Sequence, residues 1–135
     1  MDTAQLHILP VFVATFAAFT IGGLWYSPLL FAKAWMRTNN FTEADLGKGS
    51  QVKILSIAFV LTLLMAFNLA AFLANPGTTT KFGAAAGFAA GFGWVALGFG
   101  VVALFERRSF KYVLINGGYM TVAFVVMGAI IGGWR

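Results

Sequence analysis

The sequence predicts an all-α protein, a single-domain integral membrane bundle of four transmembrane helices, and three observations carry that prediction. Hydrophobic residues make up 60% of the chain and charged residues only 10%, whereas a soluble domain is roughly a quarter charged. No Asp, Glu, Lys or Arg occurs in residues 3–32, 54–80, 82–105 or 112–134. Each run is long enough for the roughly 20 residues with which an α-helix crosses about 30 Å of hydrocarbon. The runs are also continuous. A membrane barrel would alternate short strands, and an open sheet would leave backbone groups unsatisfied in lipid.

The first span is expected over residues 7–29. It ends in "GGLWYSPLL", where Pro28 restrains the residue before it and stops or kinks the helix. The segment "MDTAQLH" lacks the basic start of a cleaved leader, so this span is expected to be retained. A polar loop follows over residues 30–52. Within "NNFTEADLGKGS", Thr42 and Asp45 have the spacing of a helix-capping pair, which explains the acidic residues without chemistry. The second span, residues 53–74, carries Ala66, Ala70 and Ala74 at four-residue intervals, with Asn68 toward its far end.

The third span, residues 82–104, reads "FGAAAGFAAGFGWVALGFGVVAL". At 100° per residue, Gly83, Gly87, Gly91 and Gly98 share one face with Trp94, and Phe88, Phe92 and Phe99 lie on the other. The fourth span, residues 112–134, presents Gly117, Thr121, Gly128 and Gly132, while the first offers Ala14, Ala18 and Gly22. Small residues let backbones approach in lipid, where no hydrophobic force drives helices together. Such stripes pack the four helices within one subunit, or they join the chain to a second copy or a larger complex. Asn68 and Asn116 are expected to hydrogen-bond across helix interfaces or to line a ligand path.

Charge sets the expected orientation. Lys33, Arg37, Lys48 and Lys53 lie between spans one and two, and Arg107, Arg108 and Lys111 between three and four, leaving Lys81 and Arg135 on the opposite face. The positive-inside rule then puts both basic loops in the cytoplasm and both termini outside. The net charge of +5 is dispersed over short loops, which points to anionic lipid headgroups as partner and not to nucleic acid.

Several chemistries are disfavoured. The chain has no cysteine and one histidine, His7, which removes disulfides and most transition-metal sites, so neither metal nor cofactor is expected. No span holds an ionisable residue in its interior, against the usual pattern of coupled transporters. Ser27 and His7 belong to opposite ends of span one, too far apart for an activated serine. "LGKGS" lacks phosphate-loop spacing, and "GFGWVALGFG" is an intramembrane glycine pattern, not a dinucleotide turn. The glycosylation-like "NFT" at Asn40 falls on the face expected to be cytoplasmic.

Topology brings the end of span one and the start of span four to one membrane level. Trp25, Tyr26, Ser27, Asn116 and Tyr119 are therefore expected to cluster, with Arg107, Arg108 and Lys111 on the water side. The cluster suits an anionic lipid headgroup or another small acidic ligand, or else an aromatic belt with orienting bases.

"GGLWYSPLLFAKAW" and "FERRSFKYVLINGGYMTVAFVVMGAIIGGW" resemble the domain-of-unknown-function family numbered 1761, small four-span bacterial membrane proteins with a WYSP motif. The resemblance covers the whole chain. It is most specific at Trp25, Tyr26, Ser27, Pro28, Phe31 and Trp35, and at Asn116, Gly118 and Tyr119. It implies the architecture and no established activity. The expected function is that of a non-enzymatic accessory protein of the bacterial inner membrane, associating through its glycine-rich faces. The alternatives are a small passive channel or transporter for a small solute or ion, and a glutathione-type membrane enzyme or anionic lipid binder.

Overall fold

A computed structural model describes residues 6–134. Its helices, in order, are α1 (Ile8–Trp25), α2 (Ala32–Asn39), α3 (Glu43–Leu46), α4 (Gln51–Phe72), α5 (Thr80–Ala90), a π-helical segment (Gly91–Ala96), α6 (Leu97–Phe105) and α7 (Phe110–Gly133). Four segments are long and apolar enough to cross a membrane: Ile8–Trp25, Gln51–Phe72, Thr80–Phe105 and Phe110–Gly133. Residues 1–5 of the "MDTAQLH" segment from which a retained first span is expected, and Arg135, lie outside the described residues.

Local signals set the helix ends. Ser50, Thr79 and Ser109 each accept a hydrogen bond from the backbone N–H three residues on, capping α4, α5 and α7, and so satisfy one of the donors a helix start leaves free. Thr42 and Asp45 form a reciprocal capping box at α3. The Thr42 backbone N–H, then its hydroxyl, then Lys48 hold the Asp45 carboxyl below its ordinary pKa. Any stability this adds to α3 is present above the usual carboxylate range and lost as pH falls through the depressed value. Helix α1 stops at Trp25, short of residue 29, because Pro28 bars its neighbour from helical geometry. The chain turns instead around Ser27, whose carbonyl accepts from Leu30 and Ala32.

Helix α7 is the central member. Its Ala123, Phe124, Met127 and Ile131 pack with Val11, Ala14 and Ala18 of α1 and with Ala66, Leu69 and Ala70 of α4 in one buried cluster. Helix α4 leans on this core through its second half; Val52, Ile54, Leu55 and Ile57 in its first half are exposed.

The closest approach is between α5 and α7. A Cβ on Gly83 would collide with the Gly128 carbonyl and stand 3.1 Å from the Gly132 Cα. One on Gly87 would strike the Phe124 carbonyl, and one on Gly91 would lie 2.8 Å from the Phe124 Cβ. Backbone therefore meets backbone. Of the two alternatives for Gly83, Gly87, Gly91, Gly128 and Gly132, the contacts fit packing within one subunit: the chain fills that face itself.

The π segment brings a second correction. A uniform α-helix would keep Gly98 and Trp94 on the glycine face. Wider i→i+5 turns insert one extra residue, so the residue that follows Gly91 against α7 is Ala96. A Cβ on Gly117 would lie 3.0 Å from the Ala96 Cβ, whereas one on Gly98 would meet nothing within 4 Å. Trp94 is 80% exposed, and Ala103, further along, is buried. Asn68 is corrected too: it is exposed on α4 and its side chain makes no hydrogen bond among the described residues, because the residues that α4 buries are Ala66, Leu69 and Ala70.

Candidate anion site at the basic end of the bundle

Two layers are stacked where α1 ends and α7 begins. The inner layer is aromatic and fully hydrogen-bonded. Trp25 Nε1–H donates to the Ile115 carbonyl at 2.8 Å, and the Tyr26 hydroxyl donates to Asn116 Oδ1 at 2.7 Å. Asn116 Nδ2 in turn donates to the Tyr112 carbonyl at 3.1 Å, and the Tyr119 hydroxyl donates to the Ala18 carbonyl at 3.0 Å. Tyr26 meets both Tyr119 and Trp35 edge-to-face with centroids 5.6 Å apart. Tilted and edge-on contacts at such distances follow the ring quadrupole. Glycines make the space: a Cβ on Gly22 would be 3.1 Å from the Tyr119 hydroxyl, and one on Gly118 would be 3.0 Å from the Trp25 ring.

The outer layer is a groove of about 480 Å³. One wall is the end of α2, where Arg37, Thr38 and Asn39 lead into Asn40 in the left-handed conformation, φ 55°. The other is the α6–α7 turn with Arg107, also left-handed at φ 60°, followed by Arg108, Ser109 and Lys111. Both are helix stops of one kind. Phe41 N–H reaches back to the Met36 carbonyl, and Arg108 N–H to the Ala103 carbonyl, the six-to-one bond of a Schellman motif. Glycine usually occupies the left-handed position, so an arginine there carries backbone strain of roughly 1–2 kcal/mol.

The groove is unneutralised. Arg37, Arg107, Arg108 and Lys111 line it, no carboxylate among the described residues does, and the ion pair found among those residues, Lys48 with Asp45 at 3.2 Å, is elsewhere. Arg108 is the best-anchored base. Its guanidinium lies 4.1 Å from the Tyr112 ring centroid, it donates to Asn39 Oδ1, and its Nε is buried without a partner. The first-turn N–H groups of α7 add partial positive charge beside it. Glu106 precedes Arg107 on the same turn but neither lines the groove nor forms an ion pair among the described residues, so four guanidinium or ammonium groups face one another across the recess, and the arrangement favours an anion with several acceptor oxygens.

Of the expected cluster, Trp25, Tyr26, Asn116 and Tyr119 come together in the inner layer, and Arg107, Arg108 and Lys111 in the outer one. Ser27 joins neither; its hydroxyl donates back to the Leu24 carbonyl at 2.6 Å. The inner layer has its polar groups paired within the protein, so the open chemistry belongs to the outer layer. Sequence reasoning missed the part of Arg37, Asn39 and Tyr112. The available signal was the pair Lys33 and Arg37, four residues apart opposite Phe31 and Trp35, the pattern of a short amphipathic helix. Trp35 packs on Tyr26 and Phe41, which sets α2 against the bundle with Arg37 at the groove.

Fold and groove together define a multi-pass helical membrane protein with an unpaired cationic recess at one end. The chain belongs to the family described as a protein of unknown function (DUF1761), whose match runs over residues 9–132. No curated protein and no solved structure matches the chain.

Proposed function

We propose that this chain is a non-enzymatic accessory protein of the bacterial inner membrane that holds a phosphate-bearing anion in its basic groove. The observation that carries the reading is the lining itself: Arg37, Arg107, Arg108 and Lys111 around one recess, with no carboxylate among them. The positive-inside rule puts that recess at the cytoplasmic boundary, with both termini outside. In this chain without cysteine, Gly77→Cys is expected to react with an impermeant thiol reagent in intact cells and Ser50→Cys only after lysis. The reverse pattern would overturn the orientation.

Binding is tested with glycerol 3-phosphate and with phosphatidylglycerol added to the purified protein and counted by native mass spectrometry. Lys111→Glu is expected to weaken both about tenfold, a loss of about 1.4 kcal/mol. Arg107→Gly is expected to weaken binding while keeping or raising stability by up to about 1 kcal/mol, since glycine relieves the left-handed turn. Equal binding by wild type and both variants would end the proposal. The same spectra count subunits. Association with a second copy or a larger complex would use surfaces other than the α5–α7 glycine face, and a monomer would remove the second copy.

The passive-channel alternative has Asn68, Asn116 and threonines line one path. Asn116 is engaged by Tyr26 and Asn68 faces outward on α4, so the geometry favours the binding protein. The glutathione-type enzyme would use the same arginines, and a thermal shift on adding glutathione but not glycerol 3-phosphate would favour it.

A further inference from the structure

Tyr112, the residue after Lys111, lines a second, apolar groove of about 270 Å³ with Val95, Gly98, Phe99 and Val102. It does not line the basic groove and meets it through Arg108. Arg108 covers its ring at 4.1 Å from the side of the basic groove, and Phe99 meets it edge-on with centroids 6.4 Å apart. The notch comes from the π segment: one extra residue sends Ala96 toward Gly117 and turns Gly98 outward, where a Cβ would meet nothing within 4 Å. Val95 to Val102 runs along about 10 Å of helix. The two recesses share no lining residue, but the contact of Arg108 with Tyr112 sets a cationic one next to an apolar one.

We infer that the two grooves are one site for a single anionic phospholipid, with its phosphate among Arg107, Arg108 and Lys111 and one acyl chain along Val95, Gly98 and Val102. The inference rests on the anion site proposed above and adds the source of the phosphate. A free phosphate uses only the cationic recess. A phospholipid joins charge and hydrocarbon covalently, and it lies with its phosphate at the helix ends and its chains beside the spans. The exposed Phe105 and Phe110, at the helix ends that flank the connecting turn, extend the apolar surface up to the level of the bases. Charge complementarity selects an anionic headgroup over a zwitterionic one.

The probes are dioleoyl phosphatidylglycerol, dioleoyl phosphatidylcholine and glycerol 3-phosphate, each titrated onto purified full-length protein in neutral detergent and read by native mass spectrometry. Gly98→Leu fills the notch from a position where a Cβ meets nothing within 4 Å, and is expected to weaken phosphatidylglycerol about tenfold while leaving glycerol 3-phosphate unchanged. Val102→Trp, from an exposed position, blocks the groove independently and is expected to do the same. Gly23→Leu, at another open glycine, should change neither, and melting temperatures report whether each variant is folded. If both fillers bind phosphatidylglycerol as wild type does while Lys111→Glu does not, the acyl groove is wrong and the anion site stands. If the fillers weaken glycerol 3-phosphate equally, or if phosphatidylcholine binds as well as phosphatidylglycerol, the lipid inference also fails. If Lys111→Glu binds every probe normally, both readings fall together.

Discussion

Gly83→Leu is expected to pry α5 from α7 and to destabilise the bundle by about 3 kcal/mol or more, the upper end of overpacking costs. The size of the effect follows from what the new side chain meets. At Gly83 it meets the Gly128 carbonyl and the Gly132 Cα, so a helix backbone must move, not a flexible side-chain tip. Reversible unfolding in mixed micelles, followed by circular dichroism, reads the change. The paired variant Gly23→Leu adds the same atoms at a glycine with no neighbour within 4 Å, and it should stay within about 0.5 kcal/mol of wild type, as surface substitutions usually do. Equal stability of the two variants would show that α5 and α7 are not in backbone contact.

Asn116→Leu is expected to cost about 1–3 kcal/mol, because it strands the Tyr26 hydroxyl in the inner aromatic layer with no acceptor. Tyr26→Phe alone should cost less, since Asn116 keeps its bond to the Tyr112 carbonyl. In the double variant much of the penalty disappears, for no orphaned hydroxyl is left. The coupling expected from the cycle is roughly 0.6–2 kcal/mol, the range of hydrogen bonds between membrane helices. Additive single effects would mean that the 2.7 Å bond between α7 and the end of α1 contributes nothing.

These two variants also mark how far the sequence was legible. The four spans were readable because hydrocarbon imposes a length and excludes charge, and both are visible in a linear string. The capping box at Thr42 and the stop at Pro28 were readable because their physics is local. The meeting of Trp25 and Tyr26 with Asn116 and Tyr119 was readable for a less local reason: counting spans assigns each helix end to one side of the membrane, which leaves few possible neighbours. Ser27 shows the limit of that argument. Membrane level brought it near the cluster, but its hydroxyl is satisfied by the turn that Pro28 forces.

The glycines show where a linear reading ends. Four-residue spacing identified Gly83, Gly87 and Gly91 as a close-packing face, but not which helix would fill it or that the helix would change type at Gly91. One extra residue per π turn rotates everything beyond it by about 100°. That rotation turns Trp94 and Gly98 outward, brings Ala96 and Ala103 inward, and opens the groove beside Tyr112. The sequence by itself determined the class of protein, its spans, its charge asymmetry and the aromatic pairing at one end, since each depends on solvent, length or local backbone chemistry. Only the tertiary structure decided that the glycine face closes within the chain and that Arg37 and Asn39 join Arg107, Arg108 and Lys111 around one recess. Those outcomes depend on helix rotation and on the docking of α2, which contacts distant in sequence settle and no periodicity encodes.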